Sequence, residues 1–138
     1  MFHVLVGEQA AEEPLRHAAV RSRSVTWIVP KAARVGDQVA LYFPHAGFLA
    51  RGTVVSLPVS CTFGRRPAYS AEVGELTLFA APVPLAPIAE RLPGWGWARY
   101  PRSFTTPSKQ VASRLDQELA IWAPKPNSRS AAEGIADE

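Results

Sequence analysis

Trp27, Tyr42, Phe43, Trp95, Trp97, Tyr100 and Phe104 fall inside or beside two stretches rich in arginine and lysine, so flat rings and cations share the same segments. The first stretch carries Arg21, Arg23, Lys31, Arg34, Arg51, Arg65 and Arg66 against Asp37 alone. The second carries Arg91, Arg99, Arg102, Lys109 and Arg114 with no carboxylate. An indole presents a broad π-face that stacks on a planar base, worth about 1–3 kcal/mol per base. A guanidinium holds a phosphate. In Trp95-Gly96-Trp97 the glycine leaves the loop free to present a ring. The same rings could instead fill a small core. Strand alternation sends Tyr42 and Phe43 to opposite faces, so at least one of them belongs to the core.

Catalytic patterns are missing from the sequence. No glycine-rich phosphate loop, HExxH or G-x-S-x-G elbow occurs. His3, His17 and His45 share no spacing that would fix a common face, so no metal site is expected. Cys61 is the sole cysteine, which rules out an internal disulfide and a thiolate cluster, and it fits a half-buried structural thiol. Glu72, Glu75 and Glu90 are expected to face solvent. These residues predict a module that binds rather than catalyses, with no catalytic residue, cofactor or metal.

The elements that must position the rings follow from hydrophobic period and turn residues. Phe2 to Val6 predicts an opening strand, Glu8 to Val20 a loose helix, and Ser24 to Val29 a second strand stopped by Pro30. Val35-Gly36-Asp37 turns the chain into Val39–Phe43, an apolar run suited to a strand buried on both sides. Phe48 to Leu57 predicts another strand, with Gly52 as a bulge. Ser60 to Ala68, holding Gly64, Arg65, Arg66 and Pro67, is expected to be a loop, and Tyr69 to Ala81 a strand. One helical turn is expected near Ile88–Leu92. Thr106 as N-cap and Pro107 at the first position open a helix whose stripe is Val111, Leu115, Leu119 and Trp122, with Trp122 in the core. The length fits one domain over 1–123, and 47% hydrophobic residues suffice for a real core. Residues 124–138 are Pro-, Ser- and acid-rich and predict a disordered acidic tail. No apolar run approaches a membrane span and no leader pattern is present, so a cytoplasmic protein is the simplest reading.

The order VTWIVPKAARVGDQVALYFPHAGFLARGTVV, a PVPLAPIAERLPG turn, WARYPRSFTTP and a closing helix resembles the EVE domains of the PUA-like superfamily, relatives of YTH and ASCH domains. The resemblance runs from about Phe2 to Trp122. It implies an α+β, mostly β fold: a PUA-like mixed β-barrel of about five or six strands with two or three helices. It also implies an aromatic pocket for a modified nucleobase flipped out of DNA or presented by RNA. The pocket-bearing positions would be Trp27, Tyr42, Phe43, Trp97, Ser103, Phe104 and Thr105, with hydroxyls from Ser24 and Thr105. Arg21, Arg23, Arg99 and Arg102 would hold phosphates. On that picture Trp97→Ala weakens binding with little change in melting. The resemblance to ASCH proteins supplies an alternative, a small hydrolase of modified nucleosides pairing Lys31 or Lys109 with Glu72 or Glu75. A protein-interaction domain is a further alternative.

Overall fold

The opening strand, β1 (Phe2–Val6), lies parallel to β3 (Gln38–Phe43), with Phe2 opposite Gln38 and Val6 opposite Tyr42. Parallel neighbours need a crossover. It is supplied by α1 (Glu12–Arg21) and β2 (Val25–Ile28). The computed structural model describes residues 1–99, 101 and 103–122. Tyr100, Arg102 and the predicted tail at 124–138 lie outside the described residues.

From β3 the chain turns back through β4 (Gly47–Val54), passes along β5 (Val59–Phe63) and returns as β6 (Arg66–Val83). The strand order is β1-β3-β4-β6-β2, and β5 pairs with β6. The fold is therefore α+β and mostly β: among the described residues, a curled sheet of six strands in mixed orientation with three α-helices. The remaining helices are α2 (Leu85–Arg91) and α3 (Lys109–Ala120), and Gly96–Arg99 forms a 3-10 turn.

The double-sided burial predicted for β3 holds and divides the core. Val39, Leu41 and Phe43 join Leu5, Leu15, Val29, Leu49, Val73 and Leu76 inside the curl. Ala40 and Tyr42 join Val4, Phe48, Phe79, Ile88, Leu115, Leu119 and Trp95 on the outer face, beneath α2 and α3. Each fully buried large apolar side chain contributes about 1.5–3 kcal/mol. The bulge expected at Gly52 is displaced: Gly52 pairs in register with Val39, the extra residue opposite it lies in β6, where Glu75 takes φ +51, and β4's own bulge against β3 falls at Leu49. A Cβ at Gly52 would lie 2.7 Å from Val73 Cγ1 and 2.9 Å from the Gly74 carbonyl oxygen, so the bulged part of β6 comes this close to β4 only because that side chain is missing.

Three further expectations are corrected. The predicted loop at Ser60–Ala68 is a β-hairpin, in which β5 and the start of β6 enclose Gly64 at φ +63. Pro67 is tolerated because the missing N–H faces away from β5. The Glu72 N–H donates to Ser56 Oγ and its carbonyl accepts from Val55, so even-numbered residues of β6 turn toward β4 and β5. The Tyr69 carbonyl accepts from Val29, so odd-numbered ones turn toward β2. The second correction concerns α3, which is capped by Ser108, whose hydroxyl accepts from the Val111 N–H, and starts at Lys109. The Thr106 hydroxyl is engaged with His3 instead. Third, Trp122 lies beyond the last turn of α3 and is exposed, while Leu115 and Leu119 carry the buried stripe. No helix among the described residues is long and apolar enough to cross a membrane.

Candidate ligand-binding cleft at the sheet seam

The curled sheet ends in two edges, β1 and β2, that no backbone ladder joins. Two contacts bridge this seam and its surroundings. The Trp27 indole Nε1–H donates to the Val6 carbonyl across 3.2 Å. The segment after Pro101 pairs with β1 through reciprocal Val4 and Thr105 main-chain bonds of 2.8 and 2.9 Å. Above the indole the seam opens into a cleft of about 750 Å3. Val6 and Gly7 form one side, Thr26, Trp27 and Ile28 another, the β5–β6 hairpin supplies Phe63, Arg66 and Ser70, and Ser103 and Phe104 complete the wall.

Local sequence explains the cleft floor. A Cβ at Gly7 would lie 2.5 Å from the Phe43 ring and 2.8 Å from Trp27 Cζ2, so only glycine lets the chain pass over both rings. Trp27 meets Phe43 edge-on at 5.9 Å. Phe43 thus supports the floor from inside the core and is fully buried.

Of the residues the sequence singles out, Trp27, Ser103 and Phe104 come together in the cleft wall. Tyr42 and Phe43 do not: both are core side chains, on opposite faces of β3 as alternation requires. Burial pushes the Tyr42 phenol pKa up, as expected for a hydroxyl withdrawn from water. Trp97 stands behind the cleft wall. It stacks on Trp95 at 4.9 Å, meets Tyr42 edge-on at 5.4 Å, and donates from Nε1 to the Ser103 carbonyl across 2.6 Å. Thr105 is half-buried and spends its backbone on Val4. The Ser24 hydroxyl donates to Glu72 Oε2 and Thr26 to Oε1 of the same carboxylate; Thr26 lines the cleft and Ser24 does not. Arg21, Arg23 and Arg99 are exposed but line no part of the cleft. Arg102 lies outside the described residues.

Several lining residues were not singled out as site residues from the sequence, among them the ring of Phe63 and two charged residues, Arg66 and Glu8. The signal for Phe63 and Arg66 was present in the Gly64-Arg65-Arg66-Pro67 turn, which marks a hairpin tip as readily as a loop. Arg66 makes no ion pair among the described residues. The lysines of the hydrolase alternative form no ion pair with Glu72 or Glu75 among those residues; Lys31 sits over the Tyr69 ring, 5.6 Å from its centroid.

Beside the cleft, polar groups hold the segment that carries Ser103 and Phe104. Buried His3 bonds through Nε2 to Asp37 Oδ2 at 2.8 Å and through Nδ1 to Thr106 Oγ1 at 2.7 Å. An ionised Asp37 only accepts, so Nε2 carries a hydrogen and donates it. Burial opposes ionisation of Asp37. The His3 bond, the Arg34 N–H and the N-terminal ammonium outweigh it and hold the pKa at about 2. The order hydroxyl, imidazole, carboxylate is that of a nucleophilic triad. Neither His3, Asp37 nor Thr106 lines the cleft, and here the chain of bonds ties β1, the turn before β3 and the late segment together. His45 is separate: its Nε2 bonds to Glu12 Oε1 at 2.6 Å, which with Arg16 lowers the Glu12 pKa. The three histidines thus serve different places, and among the described residues no group of three metal-ligating side chains forms.

No family model and no curated protein matches this chain. Among solved structures it is similar to the NMR structure of Rpa0253 from Rhodopseudomonas palustris, a structural genomics target, with a TM-score of 0.60 at 12% identity. The similarity covers 89% of this chain and 95% of that one. At that identity the likeness concerns the fold alone.

Proposed function

We propose that the seam cleft binds a planar heterocycle, a modified nucleobase carried by DNA or RNA, and that the protein is a non-catalytic reader of that base. The observation that carries this reading is one cleft lined by Trp27, Phe63, Phe104 and Arg66. A volume of about 750 Å3 falls within the roughly 300–1,000 Å3 typical of small-molecule sites. Extruding a base costs a few kcal/mol, and stacking plus edge hydrogen bonds must return it. The rings supply the stacking surface. Thr26, Ser70 and Ser103 supply polar groups at the same walls. Arg66 beside the cleft, with Arg21, Arg23 and Arg99 exposed elsewhere, supplies charge for the phosphate backbone. The resemblance to EVE domains points the same way.

The test is a titration of intrinsic tryptophan fluorescence with DNA and RNA oligonucleotides bearing single defined base modifications. Quenching selective for one modification, and lost in Phe104→Ala, is the expected result. Unselective binding that Phe104→Ala leaves intact defeats the reading. Mass spectrometry on the protein incubated with free modified nucleosides checks the non-catalytic half, because any product would replace a reader with an enzyme.

A further inference from the structure

β5 pairs with β6 along one edge and, among the described residues, with nothing along the other. Its sequence, Val59-Ser60-Cys61-Thr62-Phe63, holds no charge and no proline, and its pairing with β6 runs without a bulge. Those are the devices by which edge strands avoid unwanted partners. Exposed apolar side chains also concentrate here: Leu57 is 72% exposed, Val59 59% and Phe63 56%. The other open edges differ, since β1 is bridged by Thr105 and β2 faces the seam crossed by the Trp27 indole.

We propose that β5 pairs with β5 of a second copy of this chain, antiparallel across a two-fold axis at Cys61. The phase of the ladder supports that centre. Even-numbered residues of β6 bond toward β5, and their partners are Val59, Cys61 and Phe63. The N–H and C=O groups of Ser60 and Thr62 therefore point outward. Pairing about Cys61 sets Ser60 of each copy against Thr62 of the other and satisfies both main-chain edges with four hydrogen bonds. Cys61 then faces its own copy in a non-hydrogen-bonded pair, where Cα atoms approach to about 4.5 Å.

Side chains agree with the same axis. Val59 meets Phe63 and Cys61 meets Cys61 on one face, while Ser60 meets Thr62 on the other, so each position finds a compatible partner. Charge does not oppose it. Arg65 falls opposite Leu57 of the other copy, which leaves the two Arg65 side chains at opposite ends of the paired strands. One short strand pair plus Leu57 covers less than the ~1,600 Å2 of a standard interface, so the dimer should form in proportion to concentration. A second copy also brings Val59 beside Phe63 at the cleft, which puts the two clefts near the axis.

Sedimentation of the full chain over a concentration series tests this, together with copper-phenanthroline oxidation. Two Cys61 thiolates would join in a disulfide, their two electrons passing to the oxidant. The expected result is a mass rising toward twice the monomer, with a disulfide-trapped dimer that Cys61→Ser does not give. Ser60→Pro removes only an outward N–H and should leave β6 pairing intact while abolishing both signals. Ser60→Lys, which places like charges diagonally across the axis, should do the same and serves if the proline variant fails to fold. A monomer mass at every concentration overturns the proposal. So does a dimer that persists in both Ser60 variants or forms without Cys61 trapping.

Discussion

Phe104 and Trp97 sit close in sequence, yet substitutions at the two report different things. Phe104 is 40% exposed in the cleft wall, so Phe104→Ala should weaken binding of a preferred oligonucleotide by about 1–3 kcal/mol while the melting temperature hardly moves. Trp97→Ala removes the stack on Trp95, the edge contact with Tyr42 and the donor to Ser103. That variant should lose roughly 1–3 kcal/mol of stability, seen in denaturant unfolding, with any binding loss following from a displaced wall. This reverses the expectation drawn from the sequence, where Gly96 beside Trp97 suggested a freely presented ring. Asp37 gives a pH dependence whose direction follows from its depressed pKa. Its folded value of about 2 lies below the ordinary 3.8, so its contribution is complete above about pH 4 and fades as pH falls through 2. The shift corresponds to about 2 kcal/mol. Asp37→Asn should therefore cost stability at pH 7 and little near pH 2; equal costs at both pH values would show that the carboxylate charge is irrelevant.

Among the elements, α3 offers the cleanest measurement, because Ser108 has an exposed hydroxyl with one task, accepting from Val111. Ser108→Ala should lower stability by about 1 kcal/mol, measured by chemical denaturation, whereas Thr106→Ala acts on His3 and not on the helix. Most strands are legible in the sequence, since period, β-branching and turn residues are local properties. β1, β2, β3 and β4 fall where Phe2–Val6, Ser24–Val29, Val39–Phe43 and Phe48–Leu57 place them, while the bulge read at Gly52 lies across the ladder in β6. β5 was not legible. Its tip carries glycine, arginines and proline, residues that mark a turn without revealing that both flanks are paired. The helix cap was misplaced for a related reason: Thr106 is a good local cap, but its hydroxyl is claimed by a histidine 103 positions away in sequence.

At the scale of the molecule, net charge +3 hides an uneven distribution, and nucleic-acid affinity should fall steeply as salt rises. Arg66→Ala should weaken binding to all sequences alike and reduce the slope of log affinity against log salt by about 1. A slope unchanged in that variant would remove Arg66 from the phosphate contacts. The amino-acid order alone determined a mostly β domain with few helices, a strand buried on both faces and a surplus of rings beside cations, because these depend on residue type and short-range period. Which rings stay accessible was decided by tertiary structure. Trp27 and Phe104 come to one cleft because the sheet curls without closing and the late segment is bonded to β1, while Tyr42, Phe43 and Trp97 turn inward or lie behind the wall. Arg66 joins them through hairpin pairing with β5. Such placement depends on contacts between residues dozens of positions apart, and no local pattern encodes which edge of a curled sheet is left open.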